Sequence, residues 1–433
     1  MKVIKVTLPE LHAGQVELYE KGTRLNVVRA GRRFGKSIYA VWLAAKMAIQ
    51  GKQVGIFAPE HKQLAELWDH LREILDPVLK SANRNDGTIK TINGGKVDFW
   101  TLNDNELAGR GRSYDLVLID EAAFTKSPQM KDQIWFKSIK PTMLTTRGIA
   151  WVFSTPNGVN PDNFFYSACH EDSMGFSQFH APSLANPYVP PEEIELEKLR
   201  QHPQVFQQEY AAEFIDWRSV NLLSIDSLLV EGQPVPYPKN CDTVYAVIDS
   251  AMKFGKEFDG TAVVYFAMHK SYSPQVKTHL LTILDWSITS IDAAMMEHYV
   301  PSVFTRLEEL ARQTKARNGV TGLFVEPKGS GIVILQHGSY KGWQTIEIEE
   351  KFVQIGKDER AMSVAGYHHV GQAKISDYAF DKVLPFKGAS RNHLISEISN
   401  FRLGDPEAVK RSDDLCDAYV YGLALGCGGK LGF

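Results

Sequence analysis

Two α/β domains in series are what this sequence predicts. Three observations carry that expectation. Strand-like apolar runs alternate with helix-spaced runs over residues 1–215, a proline-punctuated break falls at 232–239, and a fresh alternation starts near 243. The 433 residues exceed one usual domain and suit two. A 44% hydrophobic, 23% charged composition is that of a chain with well-filled cores. No apolar run approaches the roughly 20 residues a bilayer span needs, so no membrane association is expected. The N-terminus lacks the apolar core of a secretory leader. Cys169, Cys241, Cys416 and Cys427 are widely scattered with no C-x-x-C pair, which argues against a zinc knuckle or a disulfide scaffold and for a reducing, cytoplasmic setting. A net charge of −3 neither demands nor excludes nucleic acid as a partner, because a basic groove is a local feature.

In the first half, strands are expected at 25–30, 53–58, 116–119 and 150–154, helices at 37–50 and 62–79, and a hairpin turn at Asn93-Gly94-Gly95. Strands alternating with helices imply a mostly parallel sheet covered on both faces. The boundary is placed at the Pro234, Pro236 and Pro238 region, giving an N-terminal domain over 1–215, a linker over 216–242 and a C-terminal domain over 243–433. In that second half, strand-like runs at 244–249, 261–268 and 279–287 precede a long helix near 291–315. A strand at 322–326 and helices at 391–401 and 413–425 follow, a mixed α/β sheet.

The segment Ala30-Gly31-Arg32-Arg33-Phe34-Gly35-Lys36-Ser37 follows a strand and opens a helix. That setting suits a phosphate-binding loop: backbone N–H groups, including those of Gly31, Arg33 and Gly35, cradle phosphates, Lys36 reaches the terminal ones, and the Ser37 hydroxyl holds Mg²⁺. The spacing departs from G-x-x-x-x-G-K-[ST], since Ala30 stands at the first glycine and Gly31 follows it. A basic surface turn would use similar residues, but the strand–loop–helix setting favours a P-loop NTPase that binds ATP. Leu116-Val117-Leu118-Ile119 delivers Asp120 and Glu121 at a strand end, where ligands bind in open α/β sheets. Asp120 is assigned to Mg²⁺ and Glu121 to polarising the attacking water. Ser154 and Thr155, at the end of a further strand, suit a sensor of the γ-phosphate, and Gln15 upstream can read adenine through its amide. An arginine that neutralises transition-state charge is expected at Arg32 in cis or Arg110 in trans, and the sequence leaves both open. Phosphate contact with DNA is the other use open to the Arg110–Arg112 loop.

The second half carries acids in separated elements. Asp249 ends one strand, Glu326 ends another, and Asp414 and Asp417 sit three apart on one helix face. Each alone has an ordinary use as a turn or helix cap. Gathered together they would repel one another unless divalent ions bound them, and two such ions can activate water and stabilise a leaving oxygen on a phosphodiester. A ribonuclease-H-like, metal-dependent DNA endonuclease follows, using Mg²⁺ or Mn²⁺. Asp259 is a lesser candidate, and His368-His369 reads as structural or surface.

These motifs, with Phe206-Gln207-Gln208-Glu209-Tyr210-Ala211-Ala212-Glu213-Phe214, resemble the large terminase subunit of tailed bacteriophages over nearly the whole chain. In that family the acids matching Asp249, Glu326 and Asp414/Asp417 resemble those of RuvC-type nucleases. Which of Asp413, Asp414 and Asp417 binds metal stays open. The resemblance implies ATP-driven translocation of double-stranded DNA into a procapsid and cleavage of concatemers. It also implies a portal protein and a small terminase subunit as partners and a ring-shaped homo-oligomer, a pentamer, during packaging. The setting implied is the host cytoplasm, transiently on the procapsid and outside the mature virion. A helicase-like ATPase fused to a RuvC-like nuclease in repair or recombination shares many of these parts, but no second helicase lobe is apparent. A decayed scaffold is disfavoured by the presence of Lys36, Ser37, Asp120, Glu121, Asp249 and Glu326.

Overall fold

The computed structural model describes residues 4–103, 105–126, 129–250, 260–269, 279–291, 295–405 and 412–428. Asp259 lies outside them. Two compact units emerge, Met1–Lys198 with Pro203–Asp216, and Leu199–His202 with Trp217–Phe433. Among the described residues no helix is long and apolar enough to cross a membrane.

The first unit is built on an eight-stranded sheet. Its strands are β1 (Leu25–Ala30), β2 (Gln53–Ala58), β3 (Leu79–Asn83), β4 (Thr88–Thr91), β5 (Lys96–Thr101), β6 (Leu116–Ile119), β7 (Ile149–Ser154) and β8 (Ser177–Ala181), in the order β3-β4-β5-β2-β6-β7-β1-β8. From β5 to β8 every pairing is parallel; β3 and β4 add an antiparallel edge, and β4 turns into β5 at Gly94. The strands are buried on both sides, so they read as continuous apolar runs rather than alternations. One face, with Val28, Ile56 and Leu118, packs on α2 (Lys36–Ile49) and α3 (His61–Leu75) beside the short α1 (Ala13–Lys21). The other, with Val27, Val117 and Val152, packs on a π-helical turn, Met130–Ile139, and on α4 (Phe164–His170). The helix expected over 62–79 stops at Leu75. Pro77 cannot continue it, and a 3-10 turn at Asp76–Val78 leads straight into β3. Helices α5 (Pro191–Arg200) and α6 (Pro203–Glu209) follow β8.

Of residues 216–242, read from sequence as a linker, Asp216 clusters with the first unit and 217–242 with the second. Their regular structure is two 3-10 turns, Trp217–Ser219 and Ile225–Leu228, and they are tied down by Lys374 Nζ, which donates to the carbonyls of Ser227 and Leu229. That leaves no room there for a second motor lobe.

The second unit holds a six-stranded mixed sheet of β9 (Thr243–Asp249), β10 (Thr261–Met268), β11 (Leu281–Thr289), β12 (Val320–Val325), β13 (Thr345–Glu347) and β14 (Ala373–Ile375), ordered β13-β12-β9-β10-β11-β14. β9, β10 and β11 run antiparallel, and β12 joins the free edge of β9 in parallel, the arrangement of ribonuclease-H-like folds. α7 (Met296–Gln313) covers one face through Val300, Val303, Leu307 and Leu310. Helices α8 (Ser330–Lys341), α9 (Glu350–Val353), α10 (Lys357–His369), α11 (Asp377–Asp381) and α12 (His393–Asn400) surround the sheet, with a small hairpin of β15 (Leu384–Phe386) and β16 (Ala389–Arg391). His368 is buried, sharing a hydrogen bond with the Tyr419 hydroxyl and bonding the Ser224 carbonyl, the structural use expected of it.

The last described helix, α13 (Asp414–Cys427), lies on the sheet through Gly422 and Gly426. Tyr245 donates its hydroxyl proton to the Gly422 carbonyl at 2.8 Å, and a Cβ on Gly422 would stand 2.2 Å from the Phe266 ring. This close approach sets how far the acids at the start of α13 stand from the end of β9. Gly422→Ala is expected to destabilise the second unit by about 1–3 kcal/mol, the range for overpacking a tight core. Denaturant unfolding followed by far-UV dichroism measures it, and an unchanged midpoint would remove Gly422 as the spacer.

Candidate functional site

In the first unit the phosphate loop and both acidic and hydroxyl motifs come from three adjacent parallel strands. β7 lies between β1 and β6, pairing Arg29 with Ser154 and Ile119 with Val152. Residues that follow each strand therefore meet above one sheet edge. Lys36 Nζ lies 3.0 Å from Thr155 Oγ1 and 3.4 Å from Glu121 Oε1, Ser37 Oγ donates to Asp120 Oδ2 at 3.3 Å, and Ser154 Oγ donates to Glu121 Oε2 at 3.2 Å. Lys36 and Asp120 are buried, which strengthens these interactions and raises the cost of any uncompensated charge.

Local backbone geometry serves the same pocket. Arg33 (φ 62°), Gly35 (φ 101°) and Glu121 (φ 49°) occupy the left-handed region. For Arg33 and Glu121 this is uncommon and is held by surrounding contacts, a pattern concentrated at working sites. Gly31 N donates to Ala181 O, and a Cβ at Gly31 would come within 2.4 Å of Tyr210 O and 2.5 Å of Ser183 Oγ.

The segment Phe206–Phe214, quoted above only for its resemblance, braces this loop. Arg32 N donates to Glu209 O and Arg32 Nε pairs with Glu209 Oε2 at 2.5 Å; Arg29 pairs with Glu213 at 2.9 Å; Gly158 N, just past the sensor strand, donates to Gln208 Oε1. Arg32 is thus held by Glu209. The Arg33 side chain is exposed, and Arg110 is exposed on the loop between β5 and β6. Gln15 is buried, its Nε2 donating to Gly35 O of the loop and its Oε1 accepting from His12 N at the start of α1.

Burial, and next the neighbouring Glu121 charge, push the Asp120 carboxyl up from 3.8 to about 7, against the pull of Lys36 and Ser37.

In the second unit β9 and β12 are parallel neighbours paired Ile248 to Val325, so Asp249 and Glu326 are the next residues on adjacent strands. Asp249 is driven well above the carboxylate range by burial and by the charges of Asp417, Asp414 and Glu326, in that order. Asp413, the third helix candidate, caps α13 through its carbonyl and pairs with Lys357. The acids are gathered, and three of them are engaged by other groups. Asp414 accepts from Gly260 N and Ser412 Oγ, Glu326 pairs with Lys328 at 3.1 Å, and Asp417 pairs with Lys357 at 3.1 Å. Among the described residues no three carboxylates, imidazoles or thiols are drawn into a closed metal cage. The donor set of hard oxygens still suits Mg²⁺ or Mn²⁺ rather than a softer metal.

Sequence reasoning missed Lys357, Arg360 and Glu397 here, Glu209 as a direct loop contact, and Gln208 as the partner of Gly158 and Glu209. Glu397, on α12, accepts from the Leu415 and Cys416 amides at 2.8 and 3.1 Å and from Ser412 Oγ, capping α13 from another helix. Burial and then Asp414 raise it from 4.5 to about 8. No local spacing announces a cap delivered across 18 residues. Beside the cluster lies a cavity of about 790 Å³ lined in part by Lys357, Lys387, Arg391, Arg402 and Glu397. Asp358, Asp405 and Asp413 line it as well, so basic and acidic side chains are mixed along its wall.

Native Asp120 keeps its proton to higher pH than the unfolded chain does, so the native state binds more protons between about pH 4 and about pH 7. The nucleotide- and metal-free protein therefore loses stability through this group as pH rises over that window. Asp120→Asn should match the wild type near pH 4 and exceed it by a few kcal/mol near pH 7. Urea unfolding across pH tests this, and a pH-independent difference would contradict it.

The family described as "Terminase large subunit, T4likevirus-type, N-terminal" matches residues 27–232. The large terminase subunit of Escherichia phage T5 is 27% identical over 188 residues, 42% of this chain and 42% of that relative, so the match spans less than half of the relative's length. The large terminase of a thermophilic bacteriophage superposes with a TM-score of 0.63 at 12% identity, over 96% of this chain and 99% of that one. A structure of that same thermophilic phage protein in complex with ATP-gamma-S gives 0.60 at 13% identity, over 95% of this chain and 98% of that one. At these identities the structures speak to the fold. By sequence over residues 27–232 and by fold over nearly its whole length, this chain is similar to phage large terminases.

Proposed function

We propose that this protein is the ATP-driven motor and DNA endonuclease of a phage packaging machine. It would move double-stranded DNA into a procapsid and cut concatemers. The observation that carries the motor half is the meeting of Lys36, Thr155, Glu121, Ser37 and Asp120 within hydrogen-bond or ion-pair reach. Nucleotide phosphates would sit on the amides of the loop from Gly31 to Ser37, at the positive end of α2. Lys36 would exchange its contacts with Glu121 and Thr155 for the β- and γ-phosphates. Ser37 and Asp120 would hold Mg²⁺, which when bound neutralises charge building up on the phosphates. Glu121, released from Lys36, would orient the attacking water, with Ser154 fixing its other oxygen. Arg32 can serve in cis once it leaves Glu209, whereas exposed Arg110 would have to act from a neighbouring subunit.

In the second unit Asp249, Glu326, Asp414 and Asp417 would hold the divalent ions, which supply an activated water and stabilise the leaving oxygen. Asp414 is oriented by Ser412 and Gly260, and Lys387, Arg391 and Arg402 on the wall of the neighbouring cavity would meet the phosphates of a DNA strand. The family reading adds a portal protein and a small terminase subunit as partners. It also adds a pentameric ring while packaging, and the host cytoplasm as the place of work.

A paired test separates the two halves. Glu121→Gln should lower ATP hydrolysis by about 10²–10⁴-fold, the usual loss of a positioned base, and leave Mn²⁺-dependent plasmid cleavage intact. Asp249→Asn should do the reverse. Retention of both activities in both variants would overturn the assignment.

A further inference from the structure

The acidic cluster has a resident cation. Lys357 Nζ is bonded to Asp413 and lies 3.1 Å from Asp417 Oδ2, and Asp417 is the strongest charge acting on Asp249. Lys357 is also the first residue of α10, at the positive end of that helix, where a cation is locally disfavoured. Its placement is explained by the carboxylates it meets, not by its own helix. Arg360, one turn on, differs. It is 4.0 Å from Asp417 but is anchored by the Tyr421 ring, 4.6 Å from its guanidinium carbon. Lys357 borders the 790 Å³ cavity, and its side chain is 28% exposed, so it has open space to turn into.

We propose that Lys357 is a tethered counterion for the nuclease acids. Its ammonium occupies Asp417 while no divalent ion is present and yields that carboxylate when one binds. Metal uptake on this side of the cluster is then an exchange of one cation for another, which weakens apparent affinity and keeps the metal-free cluster from repelling itself apart. The inference rests on the metal-binding nuclease reading above and adds a control on its loading.

The test is calorimetric titration of Mn²⁺ into the full chain carrying Asp120→Asn, which silences the nucleotide site. Adding Lys357→Met, which keeps the apolar stem and removes the charge, should tighten Mn²⁺ binding roughly three- to tenfold, equivalent to about 0.7–1.4 kcal/mol. It should also lower the melting temperature of the metal-free protein, with Mn²⁺ restoring it. Lys357→Arg should leave the affinity near that of the parent. Unchanged or weaker binding in Lys357→Met overturns the proposal. A second measurement needs no variant. Acylation of Lys357 by an N-hydroxysuccinimide ester, read by mass spectrometry, should speed up when Mg²⁺ is added to the wild type, and an unchanged or slower rate also overturns it. If Asp249→Asn abolishes Mn²⁺ binding but Lys357→Met does not tighten it, the counterion fails and the nuclease site stands. If Mn²⁺ binding is absent or indifferent to Asp249→Asn, both fail.

Discussion

Carboxylates brought together out of water repel one another, and the structure of both units is organised around that constraint. Charge without a partner in such surroundings costs several kcal/mol per group, so a site that collects acids must also supply protons, donors or cations. Asp120 and Glu121 are adjacent in sequence at the end of a buried strand. Asp249 and Glu326 are adjacent in space at the ends of two paired strands. Parallel pairing makes the second arrangement inexpensive to build, because the two strands finish at the same sheet edge and need only one acid each.

Both units also meet that repulsion with a lysine at the first position of a neighbouring helix, Lys36 on α2 and Lys357 on α10. In each case a donor that would be misplaced by helix electrostatics alone is held by carboxylates across the site. The two differ in what surrounds the ammonium. Lys36 is buried and also bonded to Thr155, so it has a fixed position from which to meet phosphates. Lys357 has carboxylates on one side and a cavity on the other. The same local device thus serves as a fixed ligand in one pocket and as a replaceable charge in the other.

What could be read from the sequence follows from how local each signal is. β2, β6 and β10 were legible to the residue because their apolar runs are bounded by charged or glycine-bearing turns, and strand-end acids were legible because they interrupt those runs. Helices α8 and α10 were not. Gly338 in α8 is there so that Thr345 can approach, a Cβ at that position standing 1.9 Å from its hydroxyl, and this breaks the helical pattern for a tertiary reason. Lys357, Glu397 and Glu209 were invisible for the same cause. Each acts on a partner far along the chain, such as Arg32 on Glu209 across 177 residues, and one sequence carries no mark of such pairings. Gln15 was singled out to read adenine; its amide turns inward to Gly35 and His12, a use that spacing alone does not distinguish from an outward one.

The irregular start of the phosphate loop makes the same point about where its shape comes from. A glycine two positions before Arg32 would be needed if the loop had to turn unaided. Here Ala30 is the last residue of β1, fully buried and paired with Ala181 in β8, and the chain needs its freedom only at Gly31. At that point the Ser183 hydroxyl donates to the Arg32 carbonyl and the Glu209 carbonyl accepts from the Arg32 amide, so the loop is clamped between the turn after β8 and the end of α6. Backbone and side chain of Glu209 therefore hold the same arginine. Nucleotide that draws Arg32 inward must break the ion pair while the backbone bond keeps the loop in register, which separates the arginine's freedom to move from the integrity of the loop that carries it.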